Sequence, residues 1–297
     1  MALQSSGAIS LNQIHIEAGG SSGTQCSIND SDIRALIGKS SGATMSFSEW
    51  YGASASITET LSNGDTNVNV STEFGSSNFT SNTAKILIIA SGSEIGATGG
   101  TGNRAITVPS GMGGTLDIQN AGTISGAGGA GGTSSGQSGS PGGSAIYIAS
   151  SNVTVTNSGT IRGGGGGGGA GNNGSPGANG FQDPNSTLFC NGGSGGGHGD
   201  GGNGQGYNSP ATNGVSGSPG GGATAVGNYG SQNGPICAVF GPGSPGGSGG
   251  NGGNGGSFGN AGGNGQGLSN GGSAGKYVEV SGVSYTLSNS GTVQGST

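Results

Sequence analysis

Apolar side chains recur in three short clusters over residues 1–53, where glycine is sparse. The middle cluster follows Asn29 and Asp30, either of which can cap a helix that continues through Ile37 and ends at Gly38. A module of about 50 residues buries only a small core, so we expect these residues to dock onto a second surface. The side chains assigned to that docking surface are Ile14, Ile16, Ile33, Leu36, Phe47, Trp50 and Tyr51.

Alternating β-branched and polar residues dominate residues 54–120 and return in residues 276–297. The runs are short and are separated by glycine and asparagine, so we predict a small β-strand domain and, at the end of the chain, closing strands. The triplet Asn63-Gly64-Asp65 lies between two alternating runs. It predicts the turn of a β-hairpin.

Glycine dominates residues 121–275 and keeps a three-residue step, from Gly165 to Gly180 and again from Gly247 to Gly265. A flexible linker gives no reason for such a phase. A polyproline II helix has three residues per turn and therefore three faces, one for each phase. Glycine on a face lets neighbouring backbones approach and pair their N–H and C=O groups. We therefore predict a fold that is mostly β and irregular, with a bundle of packed polyglycine II helices joined by irregular loops.

A second repeat has the pattern x-Asn-x-Gly-Thr-[Ile/Val]-x-Gly and occurs within residues 118–126, 155–163 and 287–295. Each copy is a turn flanked by strand, and two copies lead directly into glycine tracts. We expect strand pairing between the copies to fix where each tract begins, and the third copy to close the domain at the C-terminus. The same short pattern occurs in parallel β-helices, so a parallel β-solenoid is the alternative fold.

Composition narrows the functional classes. The chain has 78 glycines among 297 residues, 6% charged residues and a formal net charge of −6. Nothing suggests a basic face for nucleic acid, and the longest apolar run, residues 86–90, is too short to cross a bilayer. We therefore expect no nucleic-acid partner and no membrane insertion. The opening MALQSSGAISLNQIH lacks the basic and apolar regions of a secretory signal, which predicts synthesis in a cytosol and release by lysis.

Ionisable side chains are too scarce in the glycine tracts for acid–base catalysis. From residue 163 to residue 275 there is no lysine or arginine, and the charged residues are Asp183 and Asp200. His198 lies two residues before Asp200, but a metal site needs three or four ligands. We predict that the protein is not an enzyme and has no metal or cofactor.

Large side chains interrupt the glycine tracts in three segments, residues 181–190, 207–213 and 228–240. Packed rods joined by irregular loops place such residues at the rod ends, where aromatic rings beside Asn, Gln and Ser suit contact with carbohydrate or protein. The candidate contact residues are Phe181, Gln182, Asp183, Phe189, Tyr207, Tyr229, Gln232 and Phe240.

The apolar residues of these segments can have two roles other than contact with a carbohydrate or protein. Phe189, Val239 and Phe240 can instead form a plug that closes the end of the bundle. Cys190 and Cys237 lie in short apolar islands, where they form either a disulfide or two buried thiols.

These residues resemble a known family, the glycine-rich receptor-recognition adhesins at the tips of the long tail fibres of T-even-type bacteriophages. The likeness is strongest over residues 120–275, in NSGTIRGGGGGGGAG and in the glycine tracts broken by loops. The opening stretch that runs from ISLNQIHIEAGG to SFSEWYGAS resembles a short module at the start of assorted phage tail proteins. That module departs from the T-even adhesins, which leaves open whether the protein caps a separate trimeric fibre or is itself an oligomeric tail component.

The resemblance implies a function for each zone. The N-terminal part attaches to a phage tail fibre or tail protein, and a sandwich of polyglycine II helices displays distal loops. Those loops bind an outer-membrane protein or lipopolysaccharide of the host. The protein is then made in the host cytoplasm and becomes part of the virion, at the fibre tip.

Two other functions fit the same composition. One is a structural tail component that does not touch the receptor directly. The other is an ice-binding protein, since a polyglycine II bundle can present a flat and regular face.

Overall fold

The computed structural model describes residues 3–179, 189–191, 193–222, 224–226, 244–267 and 269–296, with the backbone alone for 189–191 and 224–226. These residues form a small N-terminal module, a coil of parallel strands and a bundle of glycine-rich segments.

The N-terminal module contains helix α1 (Leu11–Glu17), helix α2 (Ser31–Ala35) and a 3-10 helix (Phe47–Trp50). Helix α1 begins with a capping box, in which Ser10 and Gln13 each accept a hydrogen bond from the other's backbone N–H. Asp30 is the N-cap of α2, one of the two residues predicted for that role. The module has its own core of Leu3, Ile14, Ile33 and Trp50, and the Trp50 Nε1 donates to the Ile33 carbonyl oxygen at 3.1 Å.

Thirteen of the strands run parallel to their partners in three sheets. The first sheet has the order β1 (Ser56–Leu61), β3 (Ala84–Ile89), β6 (Leu116–Asn120), β9 (Val153–Asn157), β14 (Tyr285–Asn289). The second has the order β4 (Glu94–Gly96), β7 (Thr123–Ser125), β10 (Thr160–Arg162), β15 (Thr292–Gln294). The third has the order β2 (Val68–Asn69), β5 (Ile106–Val108), β8 (Ile146–Ile148), β13 (Val278–Val280).

The chain visits these sheets in rotation, so the strands form a coil of parallel turns. This is the arrangement of the alternative fold, a parallel β-solenoid, and we refer to it as the coil. It continues past residue 120, the predicted end of the β-strand domain, as far as Arg162, and it resumes at Val278. The last three strands lie in the predicted closing segment and add the final strand to each sheet.

The predicted hairpin at Asn63-Gly64-Asp65 is wrong. Strand β1 pairs in parallel with β3, and β2 belongs to a different sheet. Gly64 does adopt a turn with a φ of 93°, but the turn carries the chain from the first sheet toward the next. Parallel pairing is favoured over a hairpin because alternate residues of every turn, such as Leu87 and Ile118, then pack in one shared core. An isolated hairpin has no such core.

Two short helices, α3 (Val70–Glu73) and α4 (Ser76–Thr80), close the core at the N-terminal end of the coil. Phe74 and Phe79 from this region are buried in the coil's core. Lys85 is 1% exposed beside them, and its Nζ donates to three backbone carbonyl oxygens at 2.8 to 2.9 Å. Burial lowers the pKa of the Lys85 ammonium group.

The x-Asn-x-Gly-Thr repeat forms one corner of the coil on three successive turns. Its asparagines make a ladder, in which Asn120 Nδ2 donates to Asn157 Oδ1 at 2.7 Å and Asn157 Nδ2 donates to Asn289 Oδ1 at 2.7 Å. Asn120 and Asn157 are each 1% exposed. Side-chain pairing between neighbouring turns therefore explains why each copy of the repeat has an asparagine at the same position.

Glycine-rich segments leave the coil at a single corner, between the second and third sheets. One excursion, residues 126–144, follows β7, and the longer one, residues 163–276, follows β10. The described parts of both excursions pack into one body, which we call the glycine bundle. Apart from the pair β11 (Phe189–Asn191) and β12 (Thr224–Val226), no α-helix or β-strand occurs in these parts.

Residues 163–177 run through the middle of the glycine bundle. From Gly164 to Asn172 the backbone N–H groups donate in rotation to three neighbouring segments, at 2.7 to 3.0 Å: Gly164 to residue 143, Gly165 to residue 205 and Gly166 to residue 260, with the rotation repeated every third residue. The carbonyl oxygens of residues 163–177 accept from three other segments, within residues 126–136, 247–259 and 272–275. All three phases of residues 164–172 are thus surrounded by backbone, which accounts for the run of seven glycines over residues 163–169.

Candidate functional site

One end of the glycine bundle adjoins the coil, and the other lies away from it. At this far end, four segments meet through backbone hydrogen bonds: Gly177 N to Gly193 O at 2.8 Å, Gly193 N to Ser244 O at 2.9 Å and Gly246 N to Gly221 O at 3.0 Å. The long connections 179–193 and 222–244 both start and finish here. The two bulky segments predicted as 181–190 and 228–240 therefore belong to connections that leave from the same end.

A short antiparallel pair links these two connections directly. Phe189 lies opposite Val226, and Cys190 lies opposite Ala225. The pair also places the backbone of Phe189, a predicted contact residue, at the far end. Cys237 and six predicted contact residues lie outside the described residues, so the contact roles and the Cys190–Cys237 disulfide stay predictions. The six contact residues are Phe181, Gln182, Asp183, Tyr229, Gln232 and Phe240.

Tyr207 lies at the opposite end of the bundle, which corrects the expectation that residues 207–213 belong with the distal loops. It follows the segment that ends at residue 205, where that segment returns to the coil. Its ring lies against Gly96 of β4, so close that a Cβ on Gly96 would overlap the ring. The Tyr207 N–H also donates to Gly126 O at 3.2 Å. The half-buried ring therefore packs the bundle onto the second sheet.

A second contact of the same kind involves Arg162, which the sequence did not single out. Its guanidinium carbon lies 3.8 Å from the centre of the Phe258 ring. The same side chain donates to Glu94 Oε1 and Ser125 Oγ, each at 2.8 Å. Because Arg162 ends the last strand before the bundle, this cluster fixes the direction in which the longer excursion leaves the coil.

The chain is similar to known proteins in both sequence and fold. The sequence model of the family described as phage tail fibre adhesin Gp38 matches residues 56–297. The chain belongs to the Gp38 family of phage tail fibre adhesins. A chain in the crystal structure of the gp37-gp38 adhesin tip complex of the bacteriophage S16 long tail fibre shares the fold, with a TM-score of 0.52 and 21% sequence identity over 99% of both chains. A search of curated protein sequences found no match.

The family match begins at Ser56, the first residue of β1, so the N-terminal module lies outside it. Within that module, Ile14, Ile33 and Trp50 form the adhesin's small separate core, and Leu36 packs against it. Three predicted docking residues expose their side chains instead: Ile16 (45%), Phe47 (45%) and Tyr51 (38%). These three are the predicted residues that can contact a partner while the module stays folded.

His198 is held by polar neighbours. Its Nδ1 lies 2.9 Å from Asn173 Oδ1, and its Nε2 lies 3.1 Å from the Thr133 carbonyl oxygen and 3.6 Å from Asp200 Oδ1. In the part of the adhesin that the structure describes, no three His, Cys, Asp or Glu side chains are grouped as a metal site. Among the same residues, no helix has the length and apolar character needed to cross a membrane.

The outer face of the third sheet carries a polar ladder that sequence reasoning missed. Asn69, Thr107, Tyr147 and Glu279 lie opposite one another on four adjacent strands. Arg104 lies beside them, with its guanidinium carbon 5.3 Å from the centre of the Tyr147 ring and its Nη2 2.6 Å from Glu279 Oε2. Together they line an open cleft of about 470 Å³.

Glu279 is the anion of this cleft. Burial raises the pKa of its carboxyl group, but hydrogen bonds from Arg104 and Ser144 outweigh burial, and the pKa lies below its ordinary value. The carboxylate is therefore ionised at neutral pH, and Arg104 balances its charge. No single sequence motif announces the site, because its residues are spread from position 69 to position 279.

Proposed function

We propose that the adhesin binds a receptor on the host cell surface through the connections that leave the far end of the glycine bundle. The observation that carries this proposal is the convergence of residues 177, 193, 221 and 246 at one end, away from the coil. Both segments with bulky and polar side chains belong to connections anchored there. The candidate receptor classes are an outer-membrane protein and lipopolysaccharide.

We also infer that the segments of the bundle are polyglycine II helices. The support is the three-residue rotation of hydrogen-bond partners along residues 164–172, as a helix with three residues per turn requires. None of these residues has a positive φ. A lattice held mainly by backbone groups depends little on the side chains of the connections, so we expect it to tolerate changes in them.

The N-terminal module is the proposed attachment to a phage tail fibre or tail protein, which places the adhesin in the virion, at the fibre tip. The S16 protein of the same fold was crystallised in a complex of gp37 and gp38, the adhesin tip of its fibre. Exposed Ile16, Phe47 and Tyr51 supply the apolar surface for an equivalent contact here. We propose that recognition proceeds by binding alone, without chemical conversion of a host polymer.

Staining of Gram-negative cells with the fluorescently labelled full chain tests receptor binding. One variant replaces residues 181–188 and 229–240 with Gly-Ser sequence, and a matched control carries Thr58→Ser and Thr60→Ser on the exposed face of β1. We expect strain-selective staining by the wild type and the control and none by the replaced chain. Protease-treated cells and cells with truncated lipopolysaccharide then separate the two receptor classes. Equal staining by the replaced chain contradicts the proposal.

A further inference from the structure

We propose that the cleft on the third sheet of the coil is a second binding site, for a neutral saccharide. It lies beside the coil end of the glycine bundle and shares no residue with the far-end connections, so it is independent of the proposed receptor site. Its floor is the ladder Asn69, Thr107, Tyr147 and Glu279 on strands β2, β5, β8 and β13. Adjacent strands lie about 4.8 Å apart, so the ladder spans about 14 Å, which suits an elongated ligand.

The cleft offers hydrogen-bonding groups that the protein leaves unused. Arg104 Nε, Arg104 Nη2 and Ser144 Oγ all donate to Glu279 Oε2, at 3.1, 2.6 and 2.9 Å. Glu279 Oε1 has no partner among the residues that the structure describes, and the same holds for the hydroxyl groups of Thr107 and Tyr147. A carboxylate oxygen that accepts from a ligand hydroxyl forms a charge-assisted bond, which is stronger than a neutral one.

Asn69 adds a donor at the other end of the ladder. Its Oδ1 is occupied, since it accepts from the N–H and the hydroxyl of Ser71 at 3.0 and 2.8 Å. These bonds fix the amide, and within the described part of the chain its Nδ2 group has no partner. The ladder thus runs from a donor, through two hydroxyls, to an acceptor, which is the mixture that vicinal sugar hydroxyls require.

The charges of the cleft select a neutral ligand. Arg104 and Glu279 are the charged residues of the lining, and they pair with each other at 2.6 Å, so the lining itself presents no unpaired charge. The formal net charge of −6 for the whole chain further disfavours phosphate and other anions. A volume of about 470 Å³ falls within the range of small-ligand sites, and the polar, open lining points to a weakly held polyol instead of an apolar molecule.

The walls of the cleft are set before any ligand arrives. Asn67 exchanges two hydrogen bonds with Thr98, at 2.9 and 3.0 Å, and Asn103 donates to the Thr98 carbonyl oxygen at 2.7 Å. The Arg104 guanidinium lies over the Tyr147 ring and holds it in place. Little ordering is therefore needed on binding, which favours affinity for a flexible saccharide.

An array of neutral and anionic bacterial oligosaccharides, probed with the full chain, tests this site. We expect the wild type to bind at least one neutral glycan. Thr107→Tyr fills the cleft and is expected to weaken that binding at least tenfold. The matched control is Thr286→Tyr, which makes the same change on the exposed outer face of the first sheet and is expected to bind like the wild type. Tyr147→Phe removes one hydroxyl and is expected to weaken binding severalfold.

Thermal unfolding of each variant checks that the coil remains folded. The chain with residues 181–188 and 229–240 replaced separates this site from the proposed receptor site, because it is expected to lose cell staining and keep glycan binding. The proposal is overturned if no neutral glycan is bound, if anionic glycans are preferred, or if folded Thr107→Tyr binds as the wild type does. Loss of glycan binding in the replaced chain alone also overturns it.

Discussion

Asn157 donates a side-chain hydrogen bond of 2.7 Å to Asn289, which lies 132 residues further along the chain. Between them the chain leaves the coil, builds most of the glycine bundle and returns to the next turn. The bond joins the turn before this excursion to the turn after it. The coil is thus continuous beneath the bundle and holds both ends of the excursion at fixed positions.

Loss of Asn157, the central residue of the asparagine ladder at the corner of the coil, is expected to destabilise the coil. Asn157→Ala removes the bond from buried Asn120, which keeps only its longer bond to Thr160 O, and also the bonds from Asn157 to Asn289 and Thr292. We expect this to lower the unfolding free energy by about 2–3 kcal/mol. Chemical denaturation measures this loss. Ser288→Ala, on the exposed side of β14, serves as the control and is expected to change stability by less than about 0.5 kcal/mol. Equal stability of the two variants contradicts the structural role of the ladder.

A methyl group on the central segment of the bundle is expected to disrupt its packing. At Gly168 an added Cβ meets the carbonyl groups of Gly253 and Asn254, whereas at Gly222 it meets nothing within 4 Å. We expect Gly168→Ala to lower the unfolding free energy by about 3 kcal/mol and Gly222→Ala to leave it nearly unchanged. Thermal unfolding compares the pair. A Gly168→Ala protein as stable as the Gly222→Ala protein would show that the backbones do not approach this closely.

Tyr207 is expected to act in packing the bundle onto the coil. Tyr207→Ala removes the ring that lies against Gly96 and is expected to cost about 2 kcal/mol, less than for a fully buried aromatic residue. Hydrogen exchange of Gly126 and Tyr207 N–H groups should rise, while host-cell staining should persist. Tyr207→Phe is the control, since it keeps the ring. Staining lost in a folded Tyr207→Ala protein would return this residue to the receptor site.

The C-terminal turn of the coil is expected to lose stability in alkali. Burial, together with the neighbouring Tyr277 hydroxyl, raises the pKa of Tyr285 to about 12. The unfolded value is about 10, so the folded state holds this proton more tightly. The resulting stabilisation is complete below pH 10 and falls as the pH rises toward 12. Denaturation at a series of pH values should show a flatter alkaline decline for Tyr285→Phe than for the wild type, and equal slopes would contradict the assignment.

The sequence predicts those features that depend on local spacing. The glycine phase identified the segments whose backbones touch, and the repeated Asn-x-Gly-Thr motif marked a corner of the coil on three turns. The hairpin at Asn63-Gly64-Asp65 failed because a turn signal does not say whether the following strand pairs beside the first or joins another sheet. The prediction that Tyr207 lies in a distal loop failed for a related reason, since loops at both ends of a glycine-rich rod have similar composition.

Features created by stacking had no sequence signal. Asn69 and Glu279 share a cleft because four parallel strands bring positions 210 residues apart into register. Burial of Lys85 against three carbonyl groups likewise depends on how the helical cap meets β3.

Photo-crosslinking on living cells can show whether the far end of the glycine bundle contacts the host receptor. A photoreactive phenylalanine analogue is placed at position 189, at the far end, or at Ser209, an exposed residue at the coil end of the bundle. We expect the chain labelled at position 189 to crosslink to a component of the host surface and the chain labelled at position 209 not to do so. Crosslinks from position 209 with none from position 189 would contradict this expectation, because the receptor would then contact the end of the bundle that adjoins the coil.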